Sequence, residues 1–303
     1  MSFLTVFSAP KPFTDPHIAT IQRNAIRSWL QLGSEVEVIL VGQEPGLAEV
    51  AREFGVKHIP EISRNEQGTP LVSSIFTAAR QNSQSPLLAY VNADILVLPD
   101  LLSSAHAMEK ISRNFLLVGQ RWDLEVTDGL VFSAGWEARL LELVKTRGRL
   151  HHPAGSDYFI YPRGCFQDIP DFAIGRAGWD NWMIFQARRQ GWLTVDGTRS
   201  VTIVHQTHDY SHLPGGKIHH HLPETDENIR LAGGREITRF SLLDVNRRLF
   251  AGRLYRRVWN KQTLRRAIES FPLLAWQNYA LTRQLTSLFQ RFKNRFNLPE
   301  RNN

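Results

Sequence analysis

The triplet Asn92-Ala93-Asp94 follows a wholly apolar run, Leu87–Val91, and ends it with a carboxylate. Ligands of an open parallel sheet bind beyond the carboxyl ends of its strands, so an acidic residue there is placed for chemistry. It suits a hard divalent cation, because Mg2+ and Mn2+ prefer carboxylate oxygen and fill their remaining positions with phosphate and water. A turn aspartate capping Leu98-Pro99-Asp100 has the same spacing. Histidines form a second group: His205, His208, His212, His219, His220 and His221 crowd one stretch. They raise a zinc hydrolase as an alternative, but no HExxH spacing occurs and the surrounding composition is that of a loop. The one cysteine, Cys165, excludes an internal disulfide and a Cys-based zinc site, and points to a reducing, cytoplasmic setting.

The elements that must hold these residues alternate. Strands are expected over 4–7, 36–41, 56–59 and 87–91, with helices over 18–32, 47–54 and 69–82 between them, the pattern of a mostly parallel sheet covered by helices. Gly33, Gly42 and Gly55 stand where segments should stop, and Thr69-Pro70 reads as an N-cap and first helical residue. Further on, strand-like runs occupy 115–118, 158–161 and 201–204, a helix is expected over 181–189, and 206–235 reads as a loop. From Phe240 the pattern is helical and basic, interrupted near Pro272.

The alternation through Tyr90, followed by Val91-Asn92-Ala93-Asp94-Ile95 and Leu98-Pro99-Asp100-Leu101, resembles the donor half of GT-A glycosyltransferases of the family-2-like kind, whose DxD motif ends the corresponding strand. The resemblance implies that Asp94 matches the second, metal-binding aspartate and that Asn92 stands in place of the first. It further implies that Ala154-Gly155-Ser156-Asp157-Tyr158-Phe159 is the glycine-containing loop beside the donor sugar. Gly178-Trp179-Asp180-Asn181-Trp182 is then the acidic motif opening the acceptor-side helix, and His205 a late metal ligand. A fuller string from Phe172 to Trp182, with His205 to Tyr210 after it, is similar to a glycosyltransferase-like group of open specificity. The implied fold is α/β: a GT-A, Rossmann-like, mostly parallel sheet flanked by helices. A catalytic domain over 1–239 (donor half about 1–125, acceptor half about 126–239) would precede a basic amphipathic helical extension over 240–303.

Sugar transfer with inversion needs a carboxylate to take the proton of the acceptor hydroxyl, and Asp180 is the candidate base. Trp179 and Trp182 beside it would offer indole faces to a sugar on the acceptor side; Asp180 would equally N-cap the following helix. Ser8, Arg64, Asn65, Asn92, Arg121, Asp123 and Asp157 make up the expected donor-binding set. A surface salt bridge for Arg121 and Asp123, and a β-turn for Asp157, are the competing roles. Mn2+ or Mg2+ held by Asp94 and His205 would offset the charge of the leaving diphosphate.

The net charge is +7, but from Ser241 onward 13 basic residues face 3 acidic ones, a net +10 that leaves −3 for residues 1–240. That asymmetry argues against nucleic acid as a partner of the core. Leu281, Leu285, Leu288, Phe289, Phe292 and Phe296 recur at helical spacing among arginines, which predicts either a surface for anionic lipid on the inner face of a membrane, beside a glycan or lipid-linked acceptor, or a stripe packed on the catalytic domain or a second subunit. No apolar run approaches the roughly 20 residues of a spanning helix. Two alternatives are an inactive membrane-associated scaffold of the same fold and a nucleotidyltransferase. The latter would be expected to carry a glycine-rich loop where this chain has Ser8-Ala9-Pro10-Lys11-Pro12.

Overall fold

The computed structural model describes residues 2–207 and 222–295. The first strands, β1 (Leu4–Ser8), β2 (Val36–Val41), β3 (Lys57–Ile59) and β4 (Leu87–Val91), alternate with α1 (Pro16–Leu30), α2 (Leu47–Phe54) and α3 (Val72–Gln81). Asp15 starts α1 by accepting the Ile18 N–H at 2.8 Å, with Pro16 at the first helical position, where its missing N–H costs nothing. Thr69-Pro70 does not repeat this device: α3 begins at Val72 with Leu71 as its N-cap, and Pro70 bridges to Arg64 to close a turn.

After β4 the chain continues through β5 (Ile95–Val97), α4 (Asp100–Ile111), β6 (Phe115–Val118), β7 (Trp122–Leu124), α5 (Trp136–Arg147) and β8 (Arg149–Leu150). Then follow β9 (Tyr158–Pro162), α6 (Trp179–Arg189), β10 (Leu193–Asp196), β11 (Ile203–Gln206) and α7 (Pro223–Ala232). A hairpin, β12 (Arg247–Phe250) and β13 (Arg253–Arg256), and two helices, α8 (Lys261–Trp276) and α9 (Tyr279–Arg295), complete it. The main sheet has the order β13-β12-β10-β6-β9-β4-β1-β2-β3 and is parallel except around β9 and at the β12–β13 hairpin. Because β9 runs against its neighbours, its first residue meets the last of β4, Tyr158 opposite Val91.

Successive residues of a strand face opposite sides, and β4 fills both. Leu88 and Tyr90 join the core beneath α3 and α6, with Phe76 and Met183; Leu87, Ala89 and Val91 join that beneath α1 and α4, with Trp29 and Met108. A smaller sheet, β5-β11-β7-β8, packs Leu96, Leu124 and Val204 against Trp136 and Leu140 of α5. It starts directly from β4, so Asn92-Ala93-Asp94 is the hinge between the two sheets.

Several expected elements shift. His205 lies inside β11, not after a strand over 201–204; α7 occupies part of the expected loop; and α6 starts two residues before 181. Beyond the boundary expected at 239/240, β12 pairs in parallel with β10 as part of the main sheet. Helix α8 continues through Pro272 and ends at Gln277, whose φ of 53° is left-handed. His208, His212, His219, His220, His221 and Phe296 lie outside the described residues.

Candidate active site

The carboxyl edge of the sheet gathers the acidic residues by topology. Asp94 leaves β4, Asp123 sits on β7, and Asp157 precedes β9, whose reversed direction brings it back beside Asn92. Asn92 donates its side-chain amide to Asp157 Oδ1 at 2.8 Å, while its backbone N–H donates to the Asp157 carbonyl at 2.9 Å. The asparagine therefore serves as a clamp on a neighbouring carboxylate, which an aspartate at this position would repel. Register in the small sheet places His205 opposite both Ile95 and Asp123.

His205 stands between two carboxylates. Its Nε2 lies 3.8 Å from Asp94 Oδ2 and its Nδ1 lies 3.4 Å from Asp123 Oδ1. Asp123 also faces His151 Nδ1 at 2.8 Å and accepts from Arg121 Nε at 2.9 Å. Arg121 donates through one terminal nitrogen to both oxygens of Asp157 at 2.8 Å. Burial opposes the charge on Asp123, but hydrogen bonds from His205 and His151 and the nearby Arg121 outweigh it and hold the carboxyl well below its usual range. Burial likewise works against the Arg121 guanidinium, and Asp157 and Asp123 overcome it.

Lys11 also belongs here. Burial lowers the pKa of its ammonium and the charge of Asp94 opposes that shift, which places the amine in the field of the strand-end carboxylate. The Lys11 backbone is pinned from both sides by the Gln22 side chain, at 2.7 and 2.9 Å. Neither Lys11 nor His151 was singled out from sequence as a site residue. A lysine framed by two prolines just beyond β1 was the available signal for the first; nothing local marks the second.

Asp180 occupies a different environment. It lies in the first turn of α6, behind Gly178, whose φ of 112° is favourable only for glycine and whose missing Cβ would stand 3.1 Å from Thr238. The carboxyl is half-buried, and burial pushes its pKa up to about 6, helped by the charge of Asp157 and opposed by backbone N–H groups of the helix start. Its tryptophan neighbours do not flank it as open faces. Trp179 and Trp182 are each 6% exposed: the first packs against Tyr90 and Phe159, both at 5.3 Å between ring centroids, and the second against Phe172 at 5.5 Å. Both rings are thus turned into the aromatic core.

The remaining expected residues divide. Ser8 ends β1 at the carboxyl edge, and its buried hydroxyl finds no hydrogen-bond partner among the described residues. Arg64 and Asn65 are taken up in holding a turn. Arg64 pairs with Glu44 at 2.8 Å, and Asn65 accepts the Thr69 N–H at 2.8 Å and donates to Glu224 at 2.7 Å. Among the described residues no three His, Cys, Asp or Glu side chains form a metal-holding group; Asp94 and His205 face each other as a pair.

No family model and no curated protein matches the chain. Among the solved structures similar to it, two illustrate the likeness. One is the mannosyltransferase PcManGT from Pyrobaculum calidifontis in complex with GDP-Man and Mn2+: 12% identical, TM-score 0.46, with 69% of this chain and 58% of that one covered. The other is S. aureus TarS 1-349: 12% identical, TM-score 0.38, covering 69% and 59%. This chain thus spans less than two thirds of either, and the likeness concerns the course of the chain alone.

Proposed function

We propose that the protein transfers a sugar from a nucleotide-sugar donor to an acceptor hydroxyl. The observation that carries this reading is the Asp94–His205 pair at the sheet edge, joined through Asn92 and Asp157 to a carboxyl raised to about 6, Asp180. A divalent cation fits the first pair. Asp94 offers carboxylate oxygen, and a His205 that gives its Nδ1 hydrogen to Asp123 keeps the Nε2 lone pair on the side of Asp94. Two protein ligands leave positions for phosphate and water, the usual division for Mn2+ or Mg2+ at a diphosphate. Bound there, the cation would offset charge on the leaving group.

The chain's own residues supply the rest. Asp180, ionised above about pH 6, takes the acceptor hydroxyl proton as that oxygen attacks the anomeric carbon. The bond from that carbon to the diphosphate breaks, the proton stays on the Asp180 carboxyl, and a single displacement inverts the centre. Lys11 adds positive charge on the diphosphate side, and the Arg121-Asp157-Asn92 chain keeps the floor of the site rigid. Calorimetric titration with nucleoside diphosphates, with and without Mn2+, tests the reading, followed by a panel of nucleotide sugars assayed for donor hydrolysis. Tight, Mn2+-dependent binding is expected; absence of nucleotide binding under both conditions would remove the proposal.

A further inference from the structure

Helix α8 buries an ion cluster beside Leu273 and turns other apolar residues outward. Its inward side carries ions: Glu269, 1% exposed, pairs with Arg265 at 2.6 Å and Arg266 at 3.1 Å, and Arg266 reaches buried Asp244 at 3.0 Å. Its outward side carries Leu264, Ile268 and Phe271, spaced i, i+4, i+7 and 52%, 43% and 54% exposed. Trp276, 63% exposed, packs edge-on against Phe271 at 5.0 Å, and Trp259, 61% exposed, stands just before the helix N-cap with Arg257 over its ring. Single exposed apolar residues are ordinary, but a contiguous stripe ended by two tryptophans marks a surface that another phase covers.

The helix expected to supply that surface contributes less. On α9, Leu281, Leu285 and Phe289 are half-buried, Arg265 sits over the Phe289 ring at 5.5 Å, and Arg283 is tied to Glu236 at 2.8 Å. The charge around the α8 stripe narrows the choice of occupant. Between residues 245 and 291 there are ten arginines and lysines and a single acidic residue, Glu269, whose charge is spent inside. We propose that the outward face of α8 docks on an anionic lipid bilayer. Leu264, Ile268 and Phe271 enter the headgroup boundary, Trp259 and Trp276 lie at the interface, and Arg256 and Lys261 meet lipid phosphate. Among the described residues no helix is long and apolar enough to cross a membrane, so the contact is lateral. The proposal is independent of the sugar-transfer reading.

The test is co-sedimentation of the full chain with vesicles of phosphatidylcholine alone and of equimolar phosphatidylcholine and phosphatidylglycerol. Binding only to the anionic vesicles, weakened by salt and accompanied by a blue shift of tryptophan emission, is expected. The variant L264S/F271S/W276S should lose about tenfold or more in partition, with its circular dichroism unchanged because all three side chains are exposed. Arg256→Glu with Lys261→Glu should lose binding without touching the apolar stripe. Failure of the unaltered protein to bind, or equal binding by the serine variant, overturns the proposal. So does a dimer that the serine variant converts to monomer while the unaltered protein ignores vesicles, since the occupant is then a second copy.

Discussion

Carboxyl groups near the carboxyl edge of the main sheet stand in two different environments. Asp123 and Asp157 are surrounded by Arg121, His151, His205 and the Asn92 amide, and for Asp123 those partners drive ionisation beyond its usual strength. Asp180 has no ion pair among the described residues, sits at a half-buried helix start, and titrates near 6. The same residue type is thus prepared for different work. A group fixed in its ionised form can hold cations and donor atoms but cannot exchange protons near neutrality, whereas a group near 6 can take one and return it.

Breaking the side on which Asp94 stands should have the largest effect. Asp94→Ala is expected to abolish Mn2+-dependent nucleotide binding, measured calorimetrically, because it removes the carboxylate of the pair proposed to hold the cation. Undiminished Mn2+-dependent affinity in that variant would falsify the assignment. On the other side, Asp180→Asn keeps the shape and removes the basicity. Turnover should fall by roughly 10²-fold or more while donor affinity stays near normal. In the unaltered protein the rate should decline as pH drops through about 6, where the base becomes protonated. A rate profile flat from pH 5 to 8 would deny Asp180 that role.

A subtler cut separates the proposed metal ligand His205 from the group that would orient it. Asp123 faces Nδ1 of His205, away from Asp94, so Asp123→Asn should weaken Mn2+ affinity about 10- to 100-fold without removing a ligand. Electron paramagnetic resonance of free Mn2+ measures this without any turnover. Affinity equal to that of the unaltered protein would reduce Asp123 to a partner of Arg121 and His151.

Sequence made the donor-side frame legible because apolar runs and glycine stops are local signals. Strands β2 and β4 and helix α2 begin and end where periodicity puts them, and with them comes the position of Asp94. Pairings across distance were not legible: Arg121 meets Asp157, 36 positions away, only because β9 runs backward beside β4. A motif also conceals which way its members point. Gly178 to Trp182 reads as one acidic, aromatic unit, yet Asp180 stays half-exposed while Trp179 and Trp182 turn into the core. The β12–β13 hairpin escaped because its arginine-rich strands bury little beyond Leu249, and α7 because the histidines before it obscured Pro223 and Gly233, both proper helix-end residues. Helical periodicity located the apolar stripe of α9 but not that of α8, where a buried ion cluster leaves Leu264, Ile268 and Phe271 facing outward.

The smallest expected effect concerns stability. A carboxyl whose folded pKa, about 6, exceeds its ordinary 3.8 binds its proton more tightly in the folded chain. Below 3.8 both states are protonated and no stability is lost. As pH rises from 3.8 to about 6 the unfolded chain releases that proton first, so the folded state loses ground progressively; above 6 the full cost of an ionised, half-buried carboxylate remains. Asn in place of Asp180 avoids ionisation and keeps an oxygen for the backbone N–H groups of the helix start. After discounting for partial exposure, Asp180→Asn should raise unfolding free energy at pH 7 by roughly 1–2 kcal/mol. Urea denaturation at pH 7 should show that gain and the same experiment at pH 4 almost none. A variant that is less stable at both values would mean that the ionised carboxylate holds the helix start, as an ordinary cap does, and is not kept there at a cost for proton transfer.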